Sequence, residues 1–254
     1  MSIQDRLNAT RKELLTIQRE LIQQLSGEKS RARGPMNRNL HVVRGMLSPS
    51  YPYVSQAGQD AIVDRLLGQK SGGTFIDIGA YDGVTGSNSL FFERVRDWTG
   101  VMVEPVASQR EKAEQARKSP CLPYAVSTKK GTAEMITVSE GYTQMSGLSQ
   151  SYDAEMLEKV RANPRHVEEI VKVPTRSIAA ILKEVDIPDP DFISLDIEGG
   201  ELEALSKFPF KNHDVKVWAI ENNTSDSALP ALMRDNGYSL VEFCGPDEIY
   251  LKNQ

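Results

Sequence analysis

Cysteine is scarce: Cys121 and Cys244 are the only two, and no Cys-x-x-Cys spacing occurs. This excludes a disulfide scaffold and a thiolate zinc site and leaves two reduced core residues. No window approaches the ~18 to 20 consecutive apolar residues of a membrane span, and the N-terminus, MSIQDRLNATRKELL, lacks the apolar stretch of a secretory signal. These absences predict a cytoplasmic protein with no membrane span. Excess positive charge is confined to one end. Residues 1–45 hold nine Lys/Arg against four Asp/Glu, whereas the remainder holds 21 against 31. The larger part is therefore not built to follow a phosphate backbone. An Asn/Asp-Pro-Pro-aromatic motif for amino groups of bases is also missing, and AIENNTS stands in that neighbourhood. Nucleic acid is not the expected partner.

What is present, 39% hydrophobic and 26% charged residues in a chain of 254, fits one main α/β domain. Residues 3–25 place Ile3, Leu7, Thr10, Leu14, Ile17 and Leu21 at alternating spacings of four and three, with Leu25 one place late. This heptad seam predicts a coiled-coil helix over residues 1–27 that self-associates into a dimer to tetramer; packing on its own domain is the competing reading. Gly27 to Pro35, GEKSRARGP, breaks the helix, and residues 28–50 read as a basic linker. Lys29, Arg31, Arg33, Arg38 and Arg44 form either a patch for an anionic partner or a solvated stretch.

From Thr74 short apolar runs alternate with helical stretches, which predicts a mainly parallel sheet covered on both faces. Strands are expected at 74–78, 100–104, 122–126, 191–196, 215–221, 238–243 and 247–252, with helices near 87–96, 107–117, 177–185, 200–207 and 226–236. Only Cys244-Gly245-Pro246 separates the last two strands, too little for a parallel crossover, so they form an antiparallel hairpin. Residues 131–175 interrupt the alternation and are expected to cover a substrate.

The first strand runs into FIDIGAYDG (75–83), a glycine-bearing turn at the carboxyl edge where such sheets bind ligands. Gly79 and Gly83 allow close approach of a ligand. A dinucleotide fingerprint, G-x-G-x-x-G, would need glycine where Tyr81 stands, which counts against NAD and a nucleotide-dependent oxidoreductase. Asp77 suits an ammonium or a hydrogen-bond donor. Glu104 ends the second strand 25 residues after Gly79, where an acid accepts from both hydroxyls of a ribose. Ala125-Val126-Ser127 would lie beside the base. Together these point to a nucleoside cofactor without polyphosphate, S-adenosylmethionine.

Residues 53–254 resemble the FkbM-type family of S-adenosylmethionine-dependent methyltransferases. The carrying segments are YVSQAGQD (53–60), FIDIGAYDG, VEP (103–105), AVS (125–127), TRSIAAIL (175–182), FISLDIEGGE (192–201) and AIEN (219–222). The resemblance implies a class I, Rossmann-like methyltransferase domain over 51–254, with a seven-stranded sheet and a terminal antiparallel hairpin. It implies cofactor-binding positions at Gln56, Asp77, Gly79, Tyr81, Asp82, Gly83, Glu104, Pro105, Val126, Ser127 and Asp196. Ser55 and Gln56 either close over the cofactor or, for Ser55, cap the following helix.

Methyl transfer is an in-line displacement at an electrophilic sulfonium, so the enzyme aligns the partners and frees a lone pair on the acceptor. An aliphatic hydroxyl needs a base or a metal. Asp196, Glu221 and Asn222 end neighbouring strands and form a hard-oxygen set fit for Mg²⁺ or Mn²⁺, similar to metal-dependent O-methyltransferases. Glu198 or Glu221 is the base if no metal is used. Asp196 and Glu198 as mere helix-capping charges is the competing reading. Of the three histidines, His166 in the insertion either approaches an acceptor or is a solvated loop residue, and His41 and His213 read as surface residues. Tyr142 and Tyr152 either stack on a ring or pack the insertion. The expected activity is O-methylation of a glycan or of a glycosylated or polyketide-type small molecule. A non-catalytic oligomeric scaffold that binds S-adenosylmethionine is the alternative from another class.

Overall fold

A computed structural model describes residues 1–253. Its elements in chain order are α1 (Ile3–Gly27), α2 (Arg33–Leu47), α3 (Gln59–Leu66), β1 (Thr74–Ile78), α4 (Leu90–Val95), β2 (Thr99–Val103), α5 (Ala107–Ala116), β3 (Cys121–Leu122), β4 (Ala125–Val126), β5 (Gly131–Glu140), β6 (Gly147–Leu148), α6 (Ala154–Arg161), β7 (Val167–Arg176), α7 (Ile178–Glu184), β8 (Phe192–Leu195), α8 (Glu201–Ser206), β9 (Val217–Glu221), α9 (Ala228–Asp235), β10 (Tyr238–Cys244) and β11 (Asp247–Lys252).

The main sheet has seven strands in the order β10-β11-β9-β8-β1-β2-β3. Six run in one direction, and β11 inserts antiparallel between β9 and β10, as the three-residue turn demands. Central strands buried on both faces need continuous apolar runs. Phe75, Ile76, Phe192, Ile193, Val217 and Trp218 supply them and are fully buried. Strand order reverses on either side of β1, which opens a crevice at the carboxyl ends of β1 and β8.

Two expectations are corrected. The third strand does not run through 122–126. Pro123 lacks the N–H a ladder requires, so the segment divides into β3 in the main sheet and β4 in a second sheet of order β4-β7-β5-β6. The second correction concerns residues 28–50, read as a basic linker, which contain α2. Pro35 sits in its first turn, where a missing N–H costs nothing. Its Met36, Leu40, Val43 and Leu47 pack against Leu14, Ile17, Leu21 and Leu25 of α1. Half of the heptad seam is thus covered within the chain, while Ile3 and Leu7 remain 76% and 59% exposed. Arg31 and Arg33 pin this helical hairpin to the sheet through Glu248 and Glu242. Among the described residues, no helix is long and apolar enough to cross a membrane.

Candidate active site

A cleft of about 370 Å³ occupies the carboxyl edge of the main sheet. Its floor is set by one close approach. Gly79, at φ +82°, donates its N–H to the Val103 carbonyl at 2.9 Å, and a Cβ placed on it would stand 1.7 Å from the Asp196 carbonyl oxygen. Only glycine lets the exits of β1 and β8 meet there. Two residues on, Tyr81 takes a left-handed backbone and donates its N–H to Glu104 at 3.0 Å; the other Glu104 oxygen accepts from Val106 N–H at 2.8 Å. Burial pushes the Glu104 carboxyl up to about 7 against these two bonds. Asp77 is buried and accepts from the hydroxyls of Ser89 at 2.5 Å and Ser87 at 3.3 Å. Burial raises its pKa, opposed by the Ser89 bond and by Arg117.

At the ends of β8 and β9 three carboxylates converge. Asp196, Glu198 and Glu221 each present an oxygen within 4.8 Å of the others. Burial, then the charges of Asp247 and Glu201, lift Asp196 to about 7. Burial and Asp196 lift Glu198 to about 9. Glu221 is raised well above its ordinary value by burial, Asp196 and Glu198. Carboxylates this close cannot all ionise unless a cation joins them. The oxygen donors and their spacing therefore fit a hard divalent ion.

The insertion forms the roof. β5 and β7 make a long antiparallel ladder, and the connection between β5 and α6 brings Thr143, Met145, Ser146 and Leu148 to the cleft, joined by Met156. Thr143 Oγ1 lies 2.7 Å from the Tyr81 hydroxyl, which ties roof to floor. Tyr152 packs on Gly147 and donates to the Met145 carbonyl, whereas Tyr142 is exposed.

Of the positions expected to hold a cofactor, Gln56, Asp77, Gly79, Tyr81, Glu104, Pro105, Val126 and Asp196 line the cleft. Asp82, Gly83 and Ser127 do not. Asp82 accepts from the N–H groups of Val84 and Thr85, Gly83 packs against Ala113 and Arg117, and Ser127 donates to the Arg176 carbonyl. Ser55 exchanges hydrogen bonds with Asp60 and the Gly58 N–H, the capping alternative. The metal set expected from sequence changes one member. The Asn222 amide donates to Asp226 and Glu248, and its oxygen accepts from Asp226 N–H, so it does not join Asp196 and Glu221. Glu198 is the third carboxylate beside them. His166 lies outside the cleft, against Glu168 at 2.8 Å.

Arg38, Gln59, Asn88 and Asp247 also line the cleft and were not anticipated. Burial raises Asp247 to about 6, against a hydrogen bond from Gln59. A signal for Asp247 existed: antiparallel register sets it opposite Glu221, an acid starting one strand facing an acid ending the next.

The family model described as the methyltransferase FkbM domain matches residues 77–240. The chain belongs to the FkbM methyltransferase family. Among solved structures, this FkbM chain is similar to an FkbM methyltransferase from Methylobacillus flagellatus KT, at 16% identity and TM-score 0.47, covering 96% of this chain and 60% of that one. It is also similar to a precorrin-6y C5,15-methyltransferase from Geobacter metallireducens GS-15, at 15% identity and TM-score 0.41, covering 81% and 92%. A third is a human methyltransferase 10 domain containing protein, at 13% identity and TM-score 0.43, covering 76% and 79%. No curated protein matches the chain. Membership in the FkbM family and the class I sheet make S-adenosylmethionine the expected methyl donor.

Proposed function

We propose that this FkbM chain transfers a methyl group from S-adenosylmethionine to a hydroxyl of a glycan or of a glycosylated or polyketide-type small molecule. The observation that carries this reading is the carboxylate triad of Asp196, Glu198 and Glu221 in the cleft that Asp77 and Glu104 also line. In this reading Glu104 accepts from the ribose, and Asp77, Gly79 and Gln56 surround the methionine end. The insertion then excludes water and holds the acceptor against the sulfonium. A hydroxyl oxygen becomes a competent nucleophile only as its proton leaves. Asp196, Glu198 and Glu221 would hold Mg²⁺ or Mn²⁺, which supplies Lewis acidity to that oxygen when bound. A second reading needs no ion: Glu198 or Glu221 takes the acceptor proton directly, the burial that raises Glu198 strengthening its carboxylate as a base while lowering the share of that form near neutral pH. The oxygen donors of the carboxylate triad favour vicinal sugar oxygens over an apolar acceptor. We further propose a cytoplasmic location and self-association through the exposed end of α1.

The test is methyl transfer from labelled S-adenosylmethionine to a panel of glycans and hydroxylated natural products, with and without exhaustive chelation. Transfer lost on chelation and restored by Mg²⁺ or Mn²⁺ is the expected result. Transfer indifferent to chelation leaves the base mechanism. Donor binding with no transfer to any acceptor points to the scaffold.

A further inference from the structure

Six carboxylates line the cleft, those of Asp77, Glu104, Asp196, Glu198, Glu221 and Asp247, and one cation, Arg38. A chamber with this charge welcomes a sulfonium or an ammonium and repels an anion. The methionine end of the donor is a zwitterion, so its carboxylate enters such a chamber only if a cation meets it.

Arg38 is free to do so. Its neighbours Arg31 and Arg33 are engaged by Glu248 and Glu242, whereas Arg38 forms no ion pair among the described residues. Its place is fixed by close contacts on both sides. One turn earlier, Gly34 abuts the β10–β11 turn so tightly that a Cβ would stand 2.3 Å from the Gly245 carbonyl oxygen, and Gly245 donates its N–H to the Gly34 carbonyl at 3.0 Å. Asn37 donates to the Phe243 carbonyl at 2.8 Å. On the next turn, His41 packs against Gly58, 3.3 Å from where a Cβ would be. Arg38 is thus held where Pro246 and Gln56 edge the cleft. On the donor reading, that edge takes the methionine end. Gln56 packs on Gly86, and Ser55 bridges to Gly86, at the start of the 87–89 segment that holds Asp77. The roof is formed by Thr143 to Leu148 and Met156.

We propose that Arg38, delivered by the N-terminal helical hairpin, binds the α-carboxylate of the methyl donor. A guanidinium fork matches a carboxylate bidentately, which a lysine does not. The residue lies outside the 77–240 stretch that the family model matches and is supplied by the N-terminal helical hairpin. The inference rests on the donor reading given under the proposed function.

The experiment is calorimetric titration of the full chain and of its Arg38→Ala and Arg38→Lys variants with S-adenosylmethionine, S-adenosylhomocysteine and decarboxylated S-adenosylmethionine. Arg38→Ala is expected to weaken both carboxylated ligands about tenfold or more and to leave the decarboxylated one unchanged. Arg38→Lys recovers part of the loss. Equal affinities for S-adenosylmethionine in the wild type and Arg38→Ala overturn the proposal, as does an equal loss for all three ligands. A wild type that binds none of the three overturns the donor reading as well, and is distinguishable for that reason.

Discussion

Two groups of buried charge lie close together in this molecule and are built on opposite principles. Around Arg117, every charge has partners. The guanidinium binds Glu93 at 3.1 Å, the Gly83 carbonyl at 2.8 Å and the hydroxyls of Ser87 and Ser89, while Glu93 also accepts from Ser119 and Lys118. Despite its burial, Glu93 is held below its ordinary pKa by Ser119, Lys118 and Arg117. At the ends of β8 and β9, Asp196, Glu198 and Glu221 face one another instead, and all are raised. The first group fixes the 83–89 segment, whose Ser87 and Ser89 hydroxyls hold Asp77. The second stores repulsion that a cationic ligand relieves. Buried carboxylates with partners organise a fold, and buried carboxylates without them await a ligand.

The largest expected effect breaks the second group. Asp196→Asn should lower kcat/KM by about 10²- to 10⁴-fold while leaving the melting temperature equal or higher, because one repelling charge is gone. Near-normal activity would place the chemistry elsewhere. Breaking the first group should do the reverse. Arg117→Met strands Glu93 and should cost about 3–5 kcal/mol in urea unfolding; a midpoint within error of wild type would show that the network is dispensable.

The comparison also predicts a pH dependence. A carboxyl whose pKa is higher in the folded than in the unfolded chain takes up a proton on folding, so stability is fullest below the unfolded value near 4 and falls as pH rises through the folded value. For Asp196 that window closes at about 7 and for Glu198 at about 9. Each proton contributes a slope of ~1.4 kcal/mol per pH unit within its window. The melting temperature without divalent ions should therefore fall between pH 5 and 9, and Mg²⁺ should flatten the fall. A profile independent of pH would contradict the shared triad.

The smallest effect concerns the same contrast in apolar form. Along α1, Leu21 is covered by α2, but Ile3 and Leu7 have no cover within the chain. The pair Ile3→Ser and Leu7→Ser should change stability by no more than about 0.5 kcal/mol and lower the mass in solution. An unchanged mass would end the self-association reading.

The parallel sheet was legible because strands buried on both faces must be apolar throughout, and the hairpin because three residues cannot cross a sheet. The failures have particular causes. Pro123 lies within an apolar run, and the pull of that run hid its missing N–H. In α2 the spacing Met36, Leu40, Val43, Leu47 is helical, but Gly34 and Pro35 resembled a break. At the site, Asp77, Glu104, Asp196 and Glu221 were legible because strand ends in such sheets converge on one edge. Asn222 misled: it looked like half of an acid-amide pair, yet Asp226, four residues on, satisfies its amide within the turn. Arg38 and Asp247 come from opposite ends of the chain: the docking of Gly34 on Gly245 brings Arg38 to the cleft, and the pairing of β11 with β9 brings Asp247.

The most direct measurement is calorimetric titration of the wild-type chain with S-adenosylmethionine, S-adenosylhomocysteine and NAD. An acidic cleft with Glu104 at the end of β2 and Tyr81 in place of a phosphate-binding glycine predicts heats of binding for the first two and none for NAD. Saturable binding of NAD with no response to the others would contradict it.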